Sequence, residues 1–337
     1  MGAVTDLKTR RISLDSIRDA AAAVYDVAVR TPLVRLDLPG ESGRTTVAGA
    51  RPLELYLKLE TLQPIGSFKI RGAYNAIRQL SPRELQEGVW TVSAGNAAQG
   101  VALAARKVGA ACSVMVMDTA PETKLRAIER LGATIVKASY DECWRTVETH
   151  RSDRMPGTFV HPFDDDRFIS GNGTIGLEIA EDLPDVDAVV APLGGGGLLS
   201  GIACALGALS PRAKVYAAEP ETAAPFATSV EAGQASYFPG WRPSFVDGAG
   251  GKSVLPSMWP LLSQLLAGSI VVSLDEVGRA MREVAEGVHV VAEGAAGCAV
   301  AAALTGRAGS GKVVAVVSGG NIDLSTFASV VGARPPT

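Results

Sequence analysis

The chain has 337 residues, 47% hydrophobic and 20% charged, with a formal net charge of -3, the balance of a folded protein large enough for two lobes. A mildly acidic chain with only 5% aromatic residues lacks the basic, stacking-rich make-up of a nucleic-acid binder. Met1 to Lys8 contain no apolar leader core and no run reaches 18 uninterrupted apolar residues, so the expectation is a cytoplasmic protein with no membrane partner.

Apolar residues at Ile17, Ala20, Ala21, Val24 and Val27 predict an amphipathic helix over 14–28, capped by Ser13 and broken at Arg30-Thr31-Pro32-Leu33. Residues 38–52, rich in Gly, Ser, Thr and Ala, read as a loop. Alternation from Leu53 to Leu59 predicts a strand that delivers the chain to Gln63-Pro64-Ile65-Gly66-Ser67-Phe68-Lys69-Ile70-Arg71-Gly72-Ala73. Lys69 follows a Pro/Gly turn, sits between Phe68 and Ile70, and precedes Ala73, Ala76, Ile77 and Leu80 at helical spacing. An amine at a helix start among apolar groups is biased toward its neutral form, which a Schiff-base lysine needs. The competing reading of these eleven residues is a solvated lysine at a helix start.

Val89 to Val92 reads as a strand, Ser93-Ala94-Gly95-Asn96-Ala97-Ala98-Gln99-Gly100 as a small polar turn, and Val101 to Val108 as a helix. Strand, small turn and helix in that order aim backbone N–H groups and a helix N-terminus at an anion; the plainer reading is a tight connection. The pattern repeats with a strand over 112–117, a helix over 121–131, a strand over 134–136 and a helix over 140–148, the rhythm of parallel βαβ units. Residues 151–163 read as a return crossing and 174–182 as a helix. The apolar run 186–191 then leads into Gly194-Gly195-Gly196-Gly197-Leu198, whose consecutive N–H groups, free of side chains, suit a phosphate at the N-terminus of a helix through Ile202 to Leu206. A flexible loop is the alternative. A strand over 215–218, a Gly/Pro-rich loop over 233–257, helices over 258–266 and 274–287, and a small-residue helix opening at Glu293 follow. The buried strand 312–317 stops at Ser318-Gly319-Gly320-Asn321.

Cysteines at 112, 143, 204 and 298 and histidines at 150, 161 and 289 show no ligand spacing, and the cysteines read as small buried hydrophobes. Gly306 to Lys312 imitates a nucleotide P-loop, but Val313 replaces the required Ser or Thr and the segment precedes a strand instead of opening a helix.

A lysine nucleophile, a glycine phosphate cup, a second anion turn and a serine at a strand end suit pyridoxal 5'-phosphate, which offers an aldehyde, a phosphate and a ring nitrogen. From Thr31-Pro32-Leu33 to Ser318-Gly319-Gly320-Asn321 the chain resembles the fold-type II pyridoxal-phosphate enzymes of the threonine/serine dehydratase and serine racemase group. Ser67 to Ala73 and Gly194 to Leu198 are the specific motifs. The resemblance implies an α/β fold of tryptophan synthase β-like type, with two domains, each an open, mostly parallel sheet covered by helices. Its large cofactor-binding domain would comprise 1–57 and 158–337, and its small substrate-loop domain 58–157. Lys69 would form the Schiff base and Phe68 pack near the ring; Asn96 would bond the ring hydroxyl and Ser318 the pyridine nitrogen. Gly194, Gly195, Gly196, Gly197 and Leu198 would bind phosphate, and Ser93, Ala94, Gly95, Asn96 and Ala97 the substrate carboxylate.

The implied activity is deamination of a β-hydroxy amino acid of the L-threonine/L-serine type by elimination of water, in a homodimer or larger homo-oligomer. A dehydratase for a bulkier substrate, a β-replacement synthase, a serine racemase and a non-catalytic cofactor carrier are the alternatives. Ala94 stands where racemases of the group carry a proton-donating serine, and Ala97 where the loop usually carries histidine. Glu219 and the carbonyl of Ala223 match part of a divalent-cation site of some relatives, but Pro225 replaces its second carboxylate, so no metal is expected. Glu293 is placed near the cofactor by the resemblance, and as a helix cap by its position. No effector domain is expected after Thr337.

Overall fold

The alternation of strand and helix resolves into two sheets. In the computed structural model, residues 10–37 and 51–332 are described, so the expected loop over 38–52 lies almost wholly outside the described residues. The chain begins with α1 (Leu14–Val24), β1 (Leu33–Arg35), β2 (Leu53–Leu59), α2 (Lys69–Ile77), α3 (Pro82–Glu87), β3 (Val89–Val92) and α4 (Asn96–Val108). It continues with β4 (Cys112–Met117), α5 (Glu122–Glu129), β5 (Thr134–Ala138), α6 (Tyr140–Thr149), β6 (Thr158–Phe159), α7 (Asp166–Asp182), β7 (Ala188–Pro192) and α8 (Gly197–Leu209). Last come β8 (Lys214–Pro220), α9 (Pro225–Ala232), α10 (Trp259–Leu265), β9 (Gly268–Val272), α11 (Leu274–Val288), α12 (Gly294–Leu304), β10 (Gly311–Val317) and α13 (Leu324–Gly332).

The large sheet has the order β1-β2-β10-β7-β8-β9 and the small one β5-β4-β3-β6. Among the strands of the described residues, only β1 runs antiparallel, against β2. Parallel strands need covered faces. The apolar α12, buried from Gly294 to Ala303, supplies one cover, and α8, buried along Gly197–Ala203, another. Because β2, β10 and β7 are adjacent and parallel, all three release the chain at the same edge of the sheet, the edge at which open α/β sheets bind ligands.

The handover expected at 57/58 and 157/158 differs from the sheets by two residues at each point. Leu59 still pairs with Val317 in the large sheet, and β6 pairs with β3 in the small one. The second shift has a local cause. Gly157, at φ +87, has no Cβ to strike the Gly88 carbonyl, so the Thr158 N–H can bond that same carbonyl at 2.9 Å.

Helices α1 and α7 depart from expectation. Ser13 caps α1 as expected, accepting from the Ser16 N–H at 3.1 Å, but the helix stops at Val24. The helix expected over 174–182 begins at Asp166, where Asp165 accepts from the N–H groups of Arg167 and Phe168. Its glycines are packing devices. A Cβ at Gly171 would strike the Arg71 carbonyl, and one at Gly173 would lie 2.8 Å from Ile17. Close approach of α2, α1 and α8 therefore requires glycine inside α7, at a propensity cost of about 1 kcal/mol each.

Candidate active site

Lys69 is the first residue of α2, just past the C-terminal edge of β2. The neighbouring strand end holds it there, since the Phe68 N–H bonds the Ser318 carbonyl at 3.0 Å and the Gly320 N–H bonds the Gly66 carbonyl at 2.9 Å. Two predicted residues 249 positions apart (318 − 69) are thereby brought to one edge. The lysine side chain is half-buried with its amine end enclosed, near the rings of Phe68 and Phe168 at 5.2 and 5.4 Å. Its ammonium donates to the Pro162 carbonyl at 2.6 Å. Burial pulls the amine down to about 8, opposed by the charge of Glu293.

The glycine loop joins β7 to α8, which begins at Gly197 and not at Ile202 as expected. Each helix leaves its first N–H groups without intrahelical partners. Gly196 sits at φ +93, and a Cβ at Gly195 would lie inside the Phe163 ring, one at Gly197 only 2.6 Å from the Phe163 carbonyl. Glycine is thus required by close packing on Phe163 as well as by access to main-chain donors.

On the small sheet, β3 ends at Val92 and Ser93 to Gly95 lead into α4, whose first residue is Asn96. The Ser93 Oγ accepts from the Gly95 N–H at 3.1 Å. Asn96 reaches across to the large sheet: its Nδ2 donates to Glu293 Oε1 at 2.9 Å, and its Oδ1 accepts from Asn321 Nδ2 at 2.7 Å. Asn321 also donates to the Ile65 carbonyl at 2.8 Å. Asn96, Lys69 and Ser318 are thus tied together at the strand ends, and the cleft beside them is lined by Gln99 and Lys124 on the small-sheet side and by Glu293 and Asn321 on the large-sheet side. Residues 24–319 match the family described as pyridoxal-phosphate dependent enzymes.

The chain belongs to this family, and its cofactor is pyridoxal phosphate. Similar proteins include an L-threonine ammonia-lyase of Thermotoga maritima, 39% identical over 95% of this chain and 78% of the relative. A serine racemase of Dictyostelium discoideum is 33% identical over 95% and 98% of the two chains. Among solved structures, maize serine racemase superposes with a TM-score of 0.84 at 32% identity, covering 95% of this chain and 97% of that one. Processed threonine deaminase isoform 2 of Solanum lycopersicum gives 0.81 at 31%, covering 96% and 95%.

The residues suit a phosphorylated pyridoxal. The hydroxyls of Ser67, two residues before the lysine, and Ser200, in the first turn after the glycine loop, are buried without hydrogen-bond partners. Buried polar atoms are normally satisfied, so these two offer unused capacity close in sequence to the lysine and the glycine loop.

The part played by His161 was invisible in the sequence, whereas Glu293 was offered both as a neighbour of the cofactor and as a cap. Glu293 makes no capping bond to α12; its carboxylate goes to Asn96 and is pushed up to about 7, chiefly by burial. His161 supports the carbonyl that holds Lys69. Its Nδ1 accepts from the N–H groups of Phe163 and Asp164, so its Nε2–H donates to the Val147 carbonyl. Burial and the nearby His150 pull that ring down to about 4, which keeps it neutral. Glu219, offered to a cation, has both oxygens engaged by the N–H groups of Phe226 and Ala227 at the start of α9 and by the Ser269 hydroxyl. The Ala223 N–H bonds the Pro220 carbonyl in the preceding turn.

Proposed function

We propose that the protein is a pyridoxal-phosphate-dependent ammonia-lyase that converts a β-hydroxy amino acid of the L-threonine/L-serine type into a 2-oxo acid and ammonia. The observation that carries this reading is Lys69, an enclosed amine drawn toward neutrality at the meeting point of three strand ends. The dehydratases and ammonia-lyase among the similar chains support it. When bound, the cofactor supplies an aldehyde for this amine and a ring that accepts the electron pair left at Cα.

The chain's own residues then divide the work. N–H groups of the Ser93 to Ala97 turn, at the positive end of α4, hold the substrate carboxylate. Lys69 Nζ, neutral once freed, takes the Cα proton as general base, a role suited to a pKa near the working pH. The β-hydroxyl then leaves as water, taking up the proton that Lys69 Nζ removed from Cα. The released enamine takes up water to give the oxo acid and ammonia. Ser318, which would meet the ring nitrogen with a neutral hydroxyl, would stabilise less charge there than an aspartate, which favours prompt elimination. Ala94 has no proton to deliver to the opposite face of Cα, which sets racemisation below elimination.

The wild-type protein should show visible absorbance from cofactor bound through Lys69 and should release oxo acid from L-threonine or L-serine. Lys69→Ala should abolish both. Unchanged absorbance in Lys69→Ala overturns the assignment, and a substituted amino acid formed in place of oxo acid when a thiol is added would make the protein a β-replacement synthase. We place it in the cytoplasm as a homodimer or larger homo-oligomer, a state that light scattering measures.

A further inference from the structure

Behind the carboxylate loop lies a cavity of about 170 Å³ lined by Val92, Ser93 and Ala94, by Met115 to Met117 at the end of β4, and by Tyr140, Cys143, Trp144 and Val147 of α6. Apart from Ser93 and the Tyr140 hydroxyl its walls are apolar. Trp144 also lines a second apolar cavity of about 80 Å³, whose other wall is Phe163, Leu193, Gly194 and Gly195 at the glycine loop. One indole thus stands between a space touching the carboxylate loop and a space touching the phosphate loop. Trp144 Nε1 donates to Glu148 of its own helix, so its polar edge is spent.

A β-substituent on an amino acid held by Ser93 to Ala97 would meet this space where Ser93 and Ala94 line it. The methyl of threonine fills a small part of it. The space opens to solvent past Met117 and Tyr140, and an apolar space of about 150 Å³ is large enough for a benzene ring. From this we infer that the site selects β-hydroxy amino acids with a bulky apolar β-substituent, branched aliphatic or aromatic, over threonine and serine. The inference rests on the ammonia-lyase reading and narrows its substrate class. Ala94 fits the selection, because any larger side chain there would enter the cavity. The mouth bears Met117 and Tyr140, both partly exposed, and the Lys252 ammonium lies 4.2 Å from the Tyr140 ring centroid and 4.3 Å from that of Trp241. That stack carries a cation to the rim without placing it among the cavity walls.

The test compares kcat/KM of the holoenzyme for L-serine, L-threonine, β-hydroxyleucine and β-phenylserine. Each methylene buried in such a pocket is worth roughly 10-fold or more in discrimination, so the larger pair should exceed threonine by at least about 10-fold. Met117→Trp, which fills the cavity from its exposed rim, and Cys143→Phe, which fills it from within, should each lower the ratio of the larger substrates to threonine by about 10-fold. Equal or better use of threonine by the wild type, or a ratio unmoved by Met117→Trp, overturns the inference. In a second arm, unreactive L-leucine and L-phenylalanine should perturb the cofactor absorbance at about 10-fold lower concentration than L-alanine; equal affinities also overturn it. Release of no oxo acid from any substrate, with tight L-leucine binding, would remove the lyase reading and leave the pocket standing.

Discussion

At the scale of single residues, the chemistry hangs on where protons sit before the cofactor arrives. Attachment of an aldehyde needs the neutral amine, and the pKa of Lys69 is drawn down to about 8. Below that value the neutral fraction rises tenfold per pH unit, and above it the fraction saturates. Cofactor uptake by the apoprotein, followed by stopped-flow absorbance, should therefore climb to about pH 8 and level off, whereas an unperturbed lysine would keep it climbing past pH 10. Asn321 acts on Asn96 and not on the amine. By donating to the Asn96 carbonyl oxygen while Glu293 accepts from the amide nitrogen, the pair fixes which way that amide faces. Asn321→Ala removes one such bond, worth about 1 kcal/mol, and should weaken cofactor binding by roughly 5- to 10-fold in an absorbance titration. An unchanged dissociation constant would remove Asn321 from this role.

Between elements, the platform beneath Lys69 is a buried ion network. The Arg71 guanidinium bonds Glu60 at 2.8 Å and Glu178 at 2.5 Å, and the Lys58 ammonium bonds Glu178 at 2.6 Å, all four side chains being fully buried. These contacts tie α2 to the end of β2 and to α7, and so set where the first turn of α2 stands. Removing one partner strands charge in the interior, which costs about 3–5 kcal/mol. Arg71→Met should lower the unfolding free energy by that amount in urea denaturation, and a loss under 1 kcal/mol would show that the network does not brace α2. Neither Arg71 nor Glu178 stood out in the sequence, because periodicity marks apolar faces and is silent about buried charge. The glycines of α7 carry no signal in the sequence for a related reason. Their cause is the approach of other helices, which local propensity does not contain.

Across the whole molecule, the cleft is built between two sheets. Asn96 crosses it to Glu293 and Asn321, Lys124 of α5 ion-pairs with Asp247, and Lys252 stacks on Tyr140 of α6. All three ties join the small-sheet side to loops on the large-sheet side. The selectivity inferred above belongs to this scale, since the cavity walls come from two strands and a helix that converge only in the fold.

The sequence by itself determined the α/β alternation, the lysine at a helix start, the glycine loop and the serine after the last strand, because each is a short run whose chemistry and local geometry are set by its immediate neighbours. Only the tertiary structure decided the partners of Asn96, the packing of Gly195 and Gly197 on Phe163, the commitment of Glu219 to α9, and the apolar space behind Ala94. Those depend on contacts between residues far apart in the chain, and such contacts exist only after the parallel strands have brought their ends to a common edge.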